Sequence, residues 1–423
     1  MNSKIQSVKG MHDIVPSDMP CWHFLETNLR QVMARYGFEE IRTPVVEKST
    51  LFERAIGDST DVVEKEMYSF EDKGGERLSL RPEGTAAVVR AAIQNGLLYA
   101  APLRLWYCGP MFRRERPQRG RTRQFHQVGV EAFGATGPDI DAEVIALGES
   151  LWRSLGLGDL RLEINSLGTV QERLEFRNDL RSYLESRKDA LDEDSLRRLD
   201  RNPLRILDSK NPVVQEALSD SPNLADYLGQ ESRDHFTKLL NFLDELGVGY
   251  VVNPRLVRGL DYYSHAVFEW ISEDLGAQGT ICAGGRYDGL VEMQGGKPWP
   301  AVGFAMGLER IVELLRQAHE FEAQPPHVYL VLAGSETSGP GLLLAERLRE
   351  ELPALRLVSN VGGGSFKAQF RRADRSGARV ALVLGEDEIS SGTATVKFLR
   401  EDVPQKTVPM DSVGDLLLKV VQS

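Results

Sequence analysis

Apolar positions change period several times along the chain, and each change predicts an element. Trp22, Leu25, Leu29, Val32 and Met33 recur at helical spacing, and Gly37 marks the stop. "FEEIRTPVVE" then reads as a strand, with Pro44 at an edge or bulge. "RLSLRPEGTA" alternates until it breaks at Pro82, Glu83 and Gly84. "RLWYCGPMFRRE" and "RQFHQVGVEAFG" flank a polar stretch, the pattern of a long antiparallel hairpin. Residues 171–250 turn helical and rich in Leu, Arg, Glu and Asp. There "DHFTKLLNFLDELG" sets Phe236, Leu239, Leu240, Leu243 and Leu246 on one face and ends at Gly247. Strand patterns return at "YVVNPRLVRGLDYYSHAVFEW" and "GTICAGGRYDGL". "AVGFAMGLERIVELLRQA" passes from a small-residue strand into a helix with Leu308, Ile311, Val312 and Leu315 inward. After the linker "EFEAQPPH", the short apolar runs "VYLVLAG", "LRLVSN" and "VALVLG" alternate with helical segments, as in a compact α/β domain.

The pattern therefore predicts an α+β domain on an antiparallel sheet over residues 1–325, interrupted by a helical insertion at 171–250. A C-terminal α/β domain follows at 326–423. A chain of 423 residues is long enough for two or three domains. Hydrophobic and charged contents of 41% and 27% are those of a soluble globular protein. No apolar run reaches the ~18 residues of a membrane span, and the first residues lack a secretory signal's apolar stretch. Cytoplasmic location and no membrane partner are expected. Cys21, Cys108 and Cys282 are odd in number and far apart, which argues for free thiols over disulfides or a zinc site. The histidines show no metal-ligand spacing, so no protein-held metal is expected.

The net charge is −11, yet six arginines lie between Arg113 and Arg123. An acidic body with one local basic patch suits a selective polyanion site. The use of arginine to the exclusion of lysine favours bidentate phosphate recognition. The strand after the loop carries Arg123, Phe125, Gln127, Gly129 and Glu131 at period two, hence on one face. A cation, an aromatic, an amide, a gap and a carboxylate cannot form a hydrophobic core. They should line a polar pocket, with Gly129 leaving room for a ligand. Should the "RPEGTA" turn face that pocket, Glu83 and Thr85 could accept from an ammonium group. Arg258, inside an apolar run, must meet an anion or pair internally with Asp261 or a glutamate. "AGGRYDGL" adds Tyr287 and glycines that let backbone approach a ligand. No GxxxxGK[ST] phosphate loop occurs, and "GGGSFKAQ" does not fit its spacing. Pooled, Arg113, Arg258 and Arg310 suit phosphates, an aromatic suits a flat ring, and Glu83, Gln127 and Glu131 suit a cationic or donor-rich small molecule. Such a site works by orientation and charge stabilisation, without a protein nucleophile.

These residues resemble the class II aminoacyl-tRNA synthetases. "GFEEIRTPVVE", "FRRERPQRGRTRQFHQVGVEAFG" and "AVGFAMGLERI" are similar to the three motifs of the class. "VRGLDYY" and "AGGRYDGL" are similar to the pair that marks the histidyl-tRNA synthetase family, and the resemblance covers essentially the whole chain. It implies a class II catalytic domain, a helical insertion and an anticodon-binding C-terminal domain. By resemblance, Glu83, Thr85 and Gln127 hold the α-ammonium of histidine. Glu131 and Tyr263 bond its imidazole, with Tyr262 and Tyr287 completing the pocket. Arg113 binds the α-phosphate of ATP, Glu115 reads the adenine amino group, and Phe125 stacks on the ring beneath Arg310. Arg258 bridges α-phosphate and carboxylate, so Arg258 and Arg113 are the catalytic pair, and Mg²⁺ bridges the outgoing phosphates. Arg116, Gln118, Arg119, Arg121 and Arg123 face the acceptor end of tRNA(His), where the family reads an extra 5′ guanosine. A homodimer is also implied. The alternative is a synthetase-like regulatory subunit of histidine biosynthesis. Such subunits lose the arginine motif and the C-terminal domain, both of which this chain keeps.

Overall fold

The computed structural model describes residues 4–57, 60, 62–100, 102–117, 120–258, 260 and 262–422, with backbone alone at 277 and 278. One compact unit runs to Phe321 and a second begins at Glu322. Strands of the first are β1 (Glu39–Glu40), β2 (Val46–Lys48), β3 (Tyr68–Glu71), β4 (Arg77–Leu80), β5 (Leu103–Phe112), β6 (Gln124–Phe133), β7 (Leu160–Ser166), β8 (Val251–Val252), β9 (Ser264–Ser272), β10 (Thr280–Arg286) and β11 (Ala301–Gly307). Its helices are α1 (Met19–Arg35), α2 (Ser49–Ile56), α3 (Thr85–Gln94), α4 (Pro138–Leu155), α5 (Val170–Glu185), α6 (Glu193–Arg201), α7 (Pro212–Ala217), α8 (Gln230–Leu246), α9 (Leu290–Met293) and α10 (Leu308–Ala318).

Eight strands form one sheet in the order β1-β5-β6-β11-β10-β9-β7-β8. Its six central strands are antiparallel, and β1 and β8 add in parallel at the edges. Strand alternation sorts the two faces. Val128, Val130 and Ala132 of β6 join a core with Trp22, Leu25, Leu29, Val32 and Met33 of α1 and Leu308, Ile311 and Leu315 of α10. The odd positions of β6 turn to the other face, where Phe133 shares a core with Leu105 and Tyr107 of β5. The alternation read from "QFHQVGVEAF" is thus the alternation of the sheet.

"FEEIRTPVVE" is not one strand. It splits into β1, on the large sheet, and β2, in a three-stranded sheet ordered β2-β4-β3, with Pro44 between them. The helical stretch also divides. Helices α5 to α7 bury Phe176, Leu180, Leu199 and Val214 in the core that holds α2 and α3, whereas α8 packs on α4 and buries Leu239 and Leu243 in the core that holds α1. Leu246, expected on the apolar face of α8, is 55% exposed. It follows the last buried position of the helix by three residues. Gly247 ends α8 at φ 68°, a conformation costly for any residue with a Cβ.

The second unit holds β12 (Val328–Ala333), α11 (Ser338–Glu351), β13 (Leu357–Ser359), α12 (Phe366–Arg375), β14 (Val380–Gly385), α13 (Glu386–Ser391), β15 (Thr393–Phe398), β16 (Lys406–Pro409) and α14 (Val413–Gln422). Its sheet order is β13-β12-β14-β15-β16. The three apolar runs are strands, as the α/β reading expects, and they pair in parallel, while β15 and β16 extend the sheet antiparallel.

Candidate active site

A cavity of 530 Å³ opens on the sheet face that carries the odd positions of β6. Its walls include Glu83, Thr85, Arg113, Glu115, Phe125, Gln127, Arg258, Tyr262, Tyr263 and Arg310. Five distant segments therefore converge: the turn before α3, the β5–β6 hairpin, the stretch before β9, β10 and the start of α10.

One part of the site is a buried polar cluster. Glu83 is 3% exposed, and its carboxylate accepts the backbone N–H of Thr85 at 2.6 Å and of Ala86 at 2.9 Å. These are free donors of the first turn of α3, so the carboxylate is fixed by the helix it caps. Thr85 donates its hydroxyl to Glu131 at 2.7 Å, and Tyr287 donates to the other Glu131 oxygen. Glu131 and Tyr287 lie behind the cavity wall, reached through Thr85. Burial pushes the Glu131 carboxyl up to about 8, against the pull of both hydroxyls, with Glu83 adding to the rise. Burial also raises Glu83, opposed by its two N–H donors and by Arg113. The hydroxyls of Tyr262, Tyr263 and Tyr287 are all raised, chiefly by burial, so they stay protonated donors.

The cations line the same cavity. Arg113 donates Nε–H to the Pro82 carbonyl at 2.8 Å and places its guanidinium 5.4 Å from the centre of the Phe125 ring. Arg310 donates to the carbonyls of Thr280 and, at 3.4 Å, of Gly120. Burial and the neighbouring Arg121 lower its pKa. Arg258 pairs with Glu269 and lies 5.6 Å from the Tyr263 ring centre. Burial opposes the Arg258 charge, and Glu269 and Tyr263 outweigh it and raise its pKa. Its Nε has no hydrogen-bond partner among the described residues. Three arginines and the buried Glu83 on one cavity suit a zwitterionic molecule beside a polyphosphate. Cys282 also lines the cavity, but burial raises its thiol well above the ordinary range, so it is no nucleophile.

The geometry corrects several expectations. The space over Gly129 is filled by Tyr107, whose ring would collide with any Cβ at Gly129 or at Gly84. Gly284 and Gly285 make room for Gly303, Phe304 and Tyr263. Neither pair clears space for a ligand. Arg286 of the same stretch is 1% exposed and binds Asp141, outside the cavity. The expected partner Asp261 lies outside the described residues, as do Gln118 and Arg119. Within the arginine loop Arg116 is exposed, and Arg121 lines the cavity 3.4 Å from Glu115. Arg123 leaves the cavity face: its guanidinium meets the Glu115 carbonyl at 3.3 Å and the Lys9 carbonyl at 3.4 Å. Sequence reasoning missed Tyr107, Glu269, Thr280, Glu309, and Arg198, Arg205 and Asp208 from the helical stretch, all but Tyr107 on the cavity wall. The only sequence signal for Glu269 was a lone carboxylate in the apolar run "AVFEW". Glu309 stands beside the expected Arg310. Its carboxylate accepts the His126 N–H at 2.8 Å, anchoring the foot of β6 to α10.

Residues 10–311 match the histidyl-tRNA synthetase family, and residues 330–420 match the anticodon binding domain. Among solved structures, an apo histidyl-tRNA synthetase of S. aureus is 33% identical over 98% of this chain and 99% of its own, at a TM-score of 0.81. One from Nostoc sp. PCC 7120 is 21% identical over 98% and 99%, at 0.68. A protein of Bacillus halodurans described as an ATP phosphoribosyltransferase regulatory subunit/histidyl-tRNA synthetase is 23% identical over 91% and 99%, at 0.65. The last two likenesses concern the fold alone.

Proposed function

Since the chain belongs to the histidyl-tRNA synthetase family, we propose that it is a catalytically active histidine–tRNA ligase. It joins histidine to ATP, giving histidyl-adenylate and pyrophosphate, and then passes the histidyl group to the terminal ribose of tRNA(His). The observation that carries this reading is the convergence of Arg113, Arg258 and Arg310 with Glu83, Thr85 and Gln127 on one cavity.

In this reading Glu83 and Gln127 accept from the α-ammonium, and the Thr85 hydroxyl keeps a lone pair for it while donating to Glu131. Glu131, with Tyr262, Tyr263 and Tyr287, bonds the imidazole. A pocket that pairs both ring nitrogens rejects side chains lacking them by roughly 10⁴–10⁵-fold, so no editing domain is required. Phe125 and Arg310 sandwich the adenine, and Glu115 accepts from its amino group. Arg113 and Arg258 gather the α-phosphate and the carboxylate and neutralise charge at in-line attack. Mg²⁺ enters with the ATP as part of the substrate. No group of three or more potential ligands among the described residues forms a cage of its own. Arg116 and Arg121, with Gln118, Arg119 and Arg123, face the acceptor end. Residues 171–250 are read as the helical insertion, 326–423 as the anticodon-binding domain, and the working form as a cytoplasmic homodimer.

Histidine-dependent exchange of pyrophosphate into ATP, run with each of the twenty amino acids, tests the reading. Exchange with histidine alone supports it, and no exchange with any of them sinks it. The second reading is a regulatory subunit without catalysis. The retained arginines count against it, and it predicts histidine binding without exchange.

A further inference from the structure

Two arginines of the cavity are held by one residue pair to which nothing above gives a role, Glu269 and Thr280. Glu269 lies on β9 and Thr280 opens β10. Below the turn Ala283 pairs with Glu269 and Cys282 with Trp270, a register that would set Thr280 opposite Ser272. Thr280 instead pairs with Ile271, because a β-bulge at Ile281 shifts the register by one residue. A shift of one turns a side chain to the opposite face. Ile271 shares a face with Glu269, so the bulge turns the Thr280 hydroxyl toward that carboxylate. The two meet at 2.8 Å, on Glu269 Oε2. Oε1 takes the Arg258 guanidinium, and the Thr280 carbonyl takes Arg310. Arg258 and Arg310 are thus clamped through one bulged corner of the sheet.

We propose that Glu269, braced by Thr280, is a positioning residue for nucleotide chemistry: it holds Arg258 in its reactive orientation until the α-phosphate arrives. This rests on the reading above. A free arginine would lose side-chain entropy on meeting the phosphate, while a clamped one has lost it already. The bond to Oε1 leaves Arg258 Nε, buried and without a partner among the described residues, as a donor for the incoming anion. Glu269 opposes the phosphate charge, so its worth lies in orientation and not in affinity.

The test compares full-length Glu269→Gln, Thr280→Val and Thr280→Ser with the parent chain in pyrophosphate exchange and in calorimetric binding of inorganic pyrophosphate. Glu269→Gln should lower kcat about 10–100-fold with KM for ATP unchanged or smaller, the split expected when orientation is lost and a repelling charge removed. Thr280→Val should lower kcat in the same direction and Thr280→Ser should restore it, which a purely structural role would not require. Pyrophosphate, which competes with Glu269 for the Arg258 guanidinium, should bind Glu269→Gln about five-fold more tightly, and most of that gain should vanish once Arg258→Ala is in the background. The proposal is overturned by kcat within two-fold for both Glu269→Gln and Thr280→Val. It is equally overturned by a rate loss that added Mg²⁺ repairs, since Glu269 would then serve the metal, or by additive effects of Glu269→Gln and Arg258→Ala. Failure of the parent chain to exchange with histidine sinks the ligase reading instead, and the pyrophosphate-binding cycle still decides whether Glu269 acts through Arg258.

Discussion

Glu131 is 1% exposed and meets two hydroxyls, with no cation bonded to it among the described residues. A carboxyl that burial holds near 8 stays protonated in the folded chain while the same group ionises in the unfolded chain near its ordinary value of 4.5. The folded state therefore binds the extra proton between those values, and stability falls as pH rises from about 5 to 8, levelling above. Glu131→Gln should remove that slope. Thermal unfolding at pH 5.5 and 8.5 should show the variant gaining on the parent with pH, by on the order of a few kcal/mol at most. A parallel pair of curves would mean that Glu131 is ionised. Arg258→Ala should abolish exchange and leave tRNA binding nearly intact; exchange within a few-fold of the parent would make Arg258 structural. These residues were legible because a charge in an apolar strand must have a partner. Which glutamate answers Arg258 is not legible from spacing: Arg258 lies in the stretch before β9, and its partner Glu269 is eleven positions on, inside that strand.

Elements decide which side chains can meet. Period two in β6 was enough to place Phe125, Gln127 and Glu131 on one face, but not to say what stands on it. The gap at Gly129 belongs to Tyr107, from the neighbouring strand. Asp141 of α4 and Arg286 of β10, each with a side chain 1% exposed, tie a helix to the sheet with Nη2–Oδ1 at 3.0 Å. His235 of α8 joins the same carboxylate at 2.7 Å. Arg286→Ala would strand the Asp141 charge in the interior and should cost about 3–5 kcal/mol, read as a lowered denaturation midpoint at unchanged m-value. Asp141→Asn in that background should recover part of the loss. In the hairpin loop Arg116 is exposed and Arg121 lines the cavity. Replacing Arg116 and Arg121 by alanine should weaken tRNA binding and flatten its dependence on log salt by about one unit per lost phosphate contact. Titrations at four salt concentrations measure that slope, and an unchanged slope would move the contact elsewhere.

The chain has separate cores on either side of the boundary after Phe321: one pair of clusters draws only on residues up to Phe321, the other only on residues after. Calorimetry should therefore resolve two transitions, and histidine with ATP should raise only the first, by mass action on the unit that binds them. A single transition raised as a whole would couple the two units. At this scale the division of labour between sequence and structure is plain. Local alternation determined the helix and strand faces, the hairpin with its cationic loop and the α/β character of the last hundred residues, because burial acts on each side chain where it stands. The composition of the cavity was legible too, since a buried or strand-borne charge announces a need for a partner. Which partner answers that need depends on register and on strand order, and these are set by the whole sheet at once. The bulge at Ile281, the Tyr107 ring over Gly129 and the helical residues Arg198, Arg205 and Asp208 at the cavity wall were decided only there.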